Sequence, residues 1–187
     1  MAAETVESAR FSDAIPDELP KQHELVRGML VRKAMPRFPH AALQQRLSAW
    51  IMTFSGRRRS PGGWWFGTEC EIEFLRGERY LPDLAGWRID RVPQLPTNTR
   101  ISIPPQWVCE ILSPSTAHRD LGEKQQTYHA AHVEHYWHLD PTSQSLTVLG
   151  WDEDSYRPLL TAEAGDVVRA EPFDAVEFDL GELFEFD

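Results

Sequence analysis

Cysteine is nearly absent from this chain, with only Cys70 and Cys109 among 187 residues, so no disulfide framework holds it together. Long apolar runs are missing too, which excludes a membrane-spanning helix from the sequence pattern. The opening MAAETVESARFSDAIPDELP lacks the basic start and apolar stretch of an export signal, so the expected location is the cytoplasm. What is not lacking is core-forming material: 41% of residues are hydrophobic and 11% aromatic, which excludes a disordered polymer. The length suits one domain.

Charge of one sign is missing from one stretch and scarce in another. Between Leu25 and Thr68 there is no acid, only the bases Arg27, Arg32, Lys33, Arg37, Arg46, Arg57, Arg58 and Arg59. From Gly150 to Asp187 the acids outnumber two arginines so heavily that this segment alone accounts for the net charge of -10. The mean charge argues against tight non-specific binding to nucleic acid, whereas the basic block leaves a local site open. The acidic segment is expected to lie near that block and compete with nucleic acid for it. A plain solubilising face is the alternative.

Residues 1–20 show no periodicity and read as a flexible N-terminal arm; residues 21–187 read as a single domain whose acidic part is 150–187. Residues 24–31 suggest a hairpin turning near Gly28. Leu43, Leu47, Trp50, Ile51 and Phe54 then recur at helical spacing, and Gly56 ends the helix. Three strands are expected next. Cys70, Ile72 and Phe74 alternate with Glu69, Glu71 and Glu73, while 80–87 and 107–112 are apolar on both faces, as in a covered central sheet. A helix over about 119–132 follows, with Leu121, Lys124 and Tyr128 on its inner face. Strands at 134–139 and 145–149 come after it, and 156–160 and 173–176 suit short edge strands.

Two carboxylates interrupt the apolar strands, Asp83 and Glu110. Burying such groups is costly without a cation or strong donors. On neighbouring strands they would hold a hard divalent metal through oxygen. Lys124 breaks an apolar helix face and would orient a water or stabilise charge developing on a phosphate. A purely structural ion pair closing the helix onto the sheet fits the same pattern.

Pro82-Asp83, the strand ending in Glu110-Ile111-Leu112-Ser113-Pro114-Ser115-Thr116, and the helix carrying Asp120, Lys124 and Tyr128 resemble the PD-(D/E)xK nuclease superfamily. More narrowly they resemble its Uma-type branch, a bacterial restriction-endonuclease-like domain. Glu24-Leu25-Val26-Arg27-Gly28, His40, Glu134-His135-Tyr136-Trp137 and Asp140-Pro141 extend the resemblance over about 22–149. It implies an α/β fold with an αβββαβ core and a mixed central sheet, plus an N-terminal β-hairpin and C-terminal strands. It also implies Mg²⁺ (or Mn²⁺) on Asp83 and Glu110, DNA as substrate, and a homodimer. The superfamily's lysine two residues after the glutamate is Leu112 here, which makes Lys124 the catalytic candidate. Glu24, His40, Asp120 and Tyr128 are second-rank candidates.

The Arg57-Arg58-Arg59 run before Trp64-Trp65-Phe66 joins backbone-neutralising charge to stacking surface and suits a nucleic-acid groove, or else a solvated loop beside core aromatics. His129, His132, His135 and His138 recur every third residue, but a helix end and opposite strand faces keep them from converging on zinc. Ser113 and Ser115 lack a strand-turn-helix nucleophile elbow. The expectation is an Mg²⁺-dependent DNA endonuclease, with a catalytically silent, dimeric binding or scaffold module of the same fold as the alternative.

Overall fold

A computed structural model describes residues 9–10, 18–56, 61–114 and 117–185. A short strand β1 (Ala9–Arg10) precedes the hairpin of β2 (His23–Val26) and β3 (Met29–Arg32). The two turn residues, Arg27 and Gly28, both have positive φ (51° and 72°), the geometry of a two-residue hairpin turn. β1 pairs antiparallel with β3, so part of the expected arm belongs to a sheet.

Helix α1 (Phe38–Ile51) starts after Pro36 and accepts Pro39 in its first turn, where no backbone donor is needed. Leu43, Leu47 and Ile51 face the core. The chain continues through β4 (Trp64–Thr68), β5 (Glu71–Glu73), β6 (Arg79–Tyr80), β7 (Leu84–Arg88), β8 (Arg100–Ile101) and β9 (Trp107–Ile111). Helix α2 covers 117–130, then β10 (His135–Asp140), β11 (Ser145–Gly150), β12 (Arg157–Glu163), β13 (Val167–Val168), β14 (Phe178–Asp179) and α3 (Gly181–Phe184) complete the order.

The central sheet runs β12-β11-β10-β9-β7-β4 and is mixed: β9 and β10, joined through α2, are parallel and the other neighbours antiparallel. Read as α1, β4, β7, β9, α2, β10, it is an αβββαβ core. A smaller sheet, β1-β3-β2-β6-β5-β8, carries the hairpin; β5 and β6 come from the chain between β4 and β7, and β8 from the chain after β7. No helix among the described residues is long and apolar enough to cross a membrane.

Two expectations need correction here. The first of the three core strands is Trp64–Thr68, paired along its length with β7, whereas Glu71–Glu73 lies in the smaller sheet. Bulky aromatic side chains favour a pleated, half-buried surface, and that outweighs the charge-alternating pattern downstream. The stretch 80–87 is likewise not one strand. It splits into β6 and β7, and Leu81-Pro82-Asp83 crosses between the two sheets. A proline cannot donate to a sheet ladder, so the crossing falls where the ladder must break.

Two apolar cores flank the central sheet. One joins α1 to Leu84, Trp107, Cys109 and Trp137; the other joins Tyr128 of α2 to Ala85, Val108, Tyr136 and the smaller sheet. The acidic segment belongs to the first. Its acids among the described residues are exposed, but Phe173, Phe178, Leu180, Leu183 and Phe184 are buried. The Phe173 ring lies 4.9 to 5.7 Å from the rings of Phe54, Trp64, Phe66, Trp107 and Trp137. Residues 173–176 form a turn and not an edge strand, and the segment is a wall of the core instead of a detachable tail.

Phe173→Ala should therefore cost ~3–5 kcal/mol, the loss of a large buried ring plus its cavity. Ending the chain at Gly150 should abolish cooperative unfolding in urea. A truncated protein that keeps a sharp transition would contradict this packing.

Candidate active site

The site forms at the seam where the chain leaves the smaller sheet for the central one. Leu81-Pro82-Asp83 lies in neither ladder, so its buried polar groups need other partners. Side chains supply them. Glu24 of β2 accepts the Leu81 N–H through Oε1 (3.0 Å), and Lys33, just after β3, donates to the Leu81 carbonyl (2.7 Å). Gln44 of α1 donates to the Asp83 carbonyl (2.9 Å), and the Glu69 N–H donates to the Pro82 carbonyl (3.1 Å).

Asp83 sits one residue before β7. The last antiparallel pair is Leu84 with Cys109, so the register sets Asp83 opposite Glu110, on the side that Ala85 and Val108 share with α2. Its Oδ1 receives the Lys33 ammonium at 2.8 Å, with His40 Nε2 at 3.3 Å, and its Oδ2 accepts the Ile111 N–H at 2.7 Å.

Glu110 faces α2. Its Oε1 accepts Lys124 Nζ at 3.0 Å and the Tyr128 hydroxyl at 2.7 Å. The same ammonium reaches Glu24 Oε1 at 2.9 Å and Asp120 Oδ1 at 3.4 Å. Arg119 Nη1 stands 3.7 Å from Glu24 Oε2. Helix α2 achieves this by changing pitch: it is α-helical over Ala117–Arg119, π-helical over Asp120–Lys124 and α-helical over Gln125–Ala130. The wider turn brings Asp120, Lys124 and Tyr128 onto the buried face and rotates Leu121 out, 49% exposed. Leu121 on the inner face is thus a mistaken expectation, made by applying the α-helical period to a π turn.

Burial alone would raise the Asp83 carboxyl, but Lys33 and His40 outweigh it and hold it well below the usual carboxylate range. Glu24 is lowered in the same way: burial opposes, while Lys124 and the Leu81 N–H prevail. Glu110 goes the other way. Full burial, opposed by Lys124 and reinforced by Asp120 and Asp83, pushes it up to about 8. Burial is the main cause, and Lys124, shared among three carboxylates, offsets only part of it. Lys124 itself stays charged, because those carboxylates overcome the burial that would lower it.

The sequence matches the family described as "Uma2: Putative restriction endonuclease" over residues 9–181. The chain belongs to that family. It is also similar to a solved structure titled a putative nuclease belonging to DUF820 from Anabaena variabilis, at 22% identity and a TM-score of 0.71, covering 89% of this chain and 93% of that one. At that identity the likeness shows the fold. No curated protein matches the chain.

The restriction-endonuclease description raises the question of a metal. The donors at the seam are carboxylate oxygens, the ligand type a hard divalent cation takes. Among the described residues no group of three or more His, Cys, Asp and Glu is set to hold an ion, so an all-protein cage is not what this family member offers. Mg²⁺ does not require one, since one or two carboxylates with water and substrate oxygens complete its shell. Glu24, Asp83, Glu110 and Asp120 are buried around Lys33, Lys124 and Arg119, and the raised Glu110 is the group that further positive charge would bring into its ionised form. Asp83 and Glu110 fit the role of ligands, with the Asp83 carboxylate shared with Lys33.

Thus Asp83, Glu110 and Lys124 meet at one seam, joined by Glu24, His40, Asp120 and Tyr128. Arg57, Arg58 and Arg59 lie outside the described residues, as do Ser115 and Thr116. His135 and His138 alternate along β10, while His129 and His132 lie against the Trp151 ring. Sequence reasoning missed Lys33. It ends a hairpin strand among other bases, with no apolar stripe around it to mark it as an intruder.

The raised Glu110 has a sign that can be measured. Between its ordinary value of 4.5 and about 8 the folded protein keeps a proton that the unfolded chain releases, so this group makes stability fall as pH rises through that window. Asp83 and Glu24, both lowered, act below their ordinary values in the opposite sense. Glu110→Gln should flatten the decline in urea midpoint between about pH 5 and pH 8. A slope equal to that of the unaltered protein would show that Glu110 does not hold the proton.

Proposed function

We propose that this family member is a cytoplasmic, metal-dependent DNA endonuclease of the PD-(D/E)xK type, hydrolysing phosphodiester bonds with Mg²⁺ or Mn²⁺ on Asp83 and Glu110. The observation that supports it is the pairing of those two buried carboxylates across β7 and β9, each with a lysine within 3.0 Å. A divalent ion bound there would supply an activated water and neutralise charge on the phosphate.

The chain's own residues do the rest. Lys33 and His40 keep Asp83 ionised and aimed, and the Ile111 N–H fixes its second oxygen. Tyr128 donates to Glu110 and holds its orientation. Lys124 is a fixed positive charge in a water-poor site, where it orients the nucleophile or stabilises charge developing on the phosphate. The acid-free run from Leu25 to Thr68, with Arg57, Arg58 and Arg59, would neutralise backbone phosphates. Cutting both strands of a duplex calls for two such sites, hence a homodimer.

One observation favours the second reading, a catalytically silent binding or scaffold module. Both Asp83 oxygens and Glu110 Oε1 already have protein donors, so the site is partly self-neutralised.

Cleavage of supercoiled plasmid by purified protein in Mg²⁺, Mn²⁺ or EDTA decides between them. The nuclease reading expects cleavage in either metal, none in EDTA, and a fall on the order of 100-fold or more in Asp83→Asn and Glu110→Gln. Urea unfolding of each variant separates lost chemistry from lost fold. DNA retention without cleavage in any metal would leave the silent reading standing.

A further inference from the structure

Lys33 and His40 both reach the same oxygen of Asp83, at 2.8 and 3.3 Å, so the segment between them is clipped at both ends to the candidate site. It has no regular structure up to Arg37 and carries Met35, Pro36, Arg37, Phe38 and Pro39, all exposed. Phe38 is 80% exposed and Met35 64%, although each begins or adjoins an ordered, anchored element. Met35 Sδ accepts a hydrogen bond from Gln22 at 3.1 Å, which braces the base of the loop. Single exposed apolar residues are ordinary, but two of them flanking an arginine on a loop fixed to a catalytic candidate form a specific shape.

We propose that Phe38, with Met35 beside it, is a wedge that enters the base stack of bound duplex DNA next to the scissile phosphate. Arg37 contacts a flanking phosphate. The inference rests on the nuclease reading and deepens it, because it says how the substrate is held. Apolar side chains inserted between base steps unstack them and kink the duplex, and stacking on an aromatic ring tolerates any base. The charge around the loop suits a polyanion: exposed Arg32 and Arg37 lie along it, and α1 has no acid in its first turn. An apolar protein partner would have no use for that charge. Anchoring at Asp83 matters because the wedge and the reacting phosphate would then keep a constant separation, the positional control that hydrolysis at one bond requires.

The test uses the full chain as Glu110→Gln, a neutral isostere that leaves DNA uncut, with duplexes carrying 2-aminopurine at successive positions. Binding should raise the fluorescence at one or two adjacent steps, reporting unstacking. Adding Phe38→Ala should abolish that rise and weaken binding roughly 5- to 150-fold, the value of one lost stack. Since Phe38 carries no charge, the slope of log affinity against log salt should not move, whereas Arg37→Gln should reduce it by about 1. Phe38→Trp should restore both binding and fluorescence. Binding that survives Phe38→Ala with no fluorescence change in either protein overturns the wedge and leaves the nuclease reading intact. An unaltered chain that neither binds nor cuts DNA overturns both. A Phe38→Ala change in sedimentation behaviour alone would assign the loop to contact between copies, which also rejects the wedge.

Discussion

The Lys124 ammonium is the charge on which the seam depends. It sits in contact with carboxylates from three different elements, Glu24 on β2, Glu110 on β9 and Asp120 on its own helix. Each of those acids is almost completely buried. Taking the ammonium away would leave three buried carboxyl groups without their shared donor, a loss of ~3–5 kcal/mol even for a single broken pair. The smaller sheet, the central sheet and α2 are thus tied at one point by an electrostatic requirement and not only by packing. The π turn in α2 follows from the same requirement, since it turns Asp120 and Lys124 together toward the sheet.

The requirement also explains where the chain changes sheets. Leu81-Pro82-Asp83 gives up ladder hydrogen bonds on both sides, and its polar groups are satisfied by Glu24, Lys33 and Gln44. Glu24 and Lys33 therefore each serve twice, once for backbone and once for charge. That double duty brings a hairpin remote in sequence into contact with the strand end carrying Asp83.

How much of this was legible depended on local contrast. Asp83, Glu110 and Lys124 stood out because each breaks an apolar pattern, and β9 was visible as a run apolar on both faces. Lys33 had no such background, for it sits in a run of bases where one more cation carries no signal. β4 was hidden by its own composition, because Trp64-Trp65-Phe66 beside three arginines reads as surface. The C-terminal segment was hidden by its acids. Phe173, Phe178, Leu180 and Phe184 follow no single period, so charge dominated the reading while the aromatic side chains built the core. Period-based reasoning also assumes one pitch per helix, and the π turn moved Leu121 out of register.

A buried ionic network of this size is a poor way to gain stability. Replacing such groups by apolar residues of similar volume is often neutral or favourable, and the two apolar clusters on either side of the central sheet already supply the driving force for this fold. What the network supplies is electrostatic contrast. Asp83 and Glu110 are neighbours in register, yet Lys33 and His40 hold the first well below the usual carboxylate range while burial, only partly offset by the shared ammonium, raises the second. Neighbouring carboxyl groups held unlike by their surroundings are found at sites that do chemistry and also in ion-pair networks that serve structure alone. On the nuclease reading, that contrast is what the cost of burying these groups at the seam would maintain.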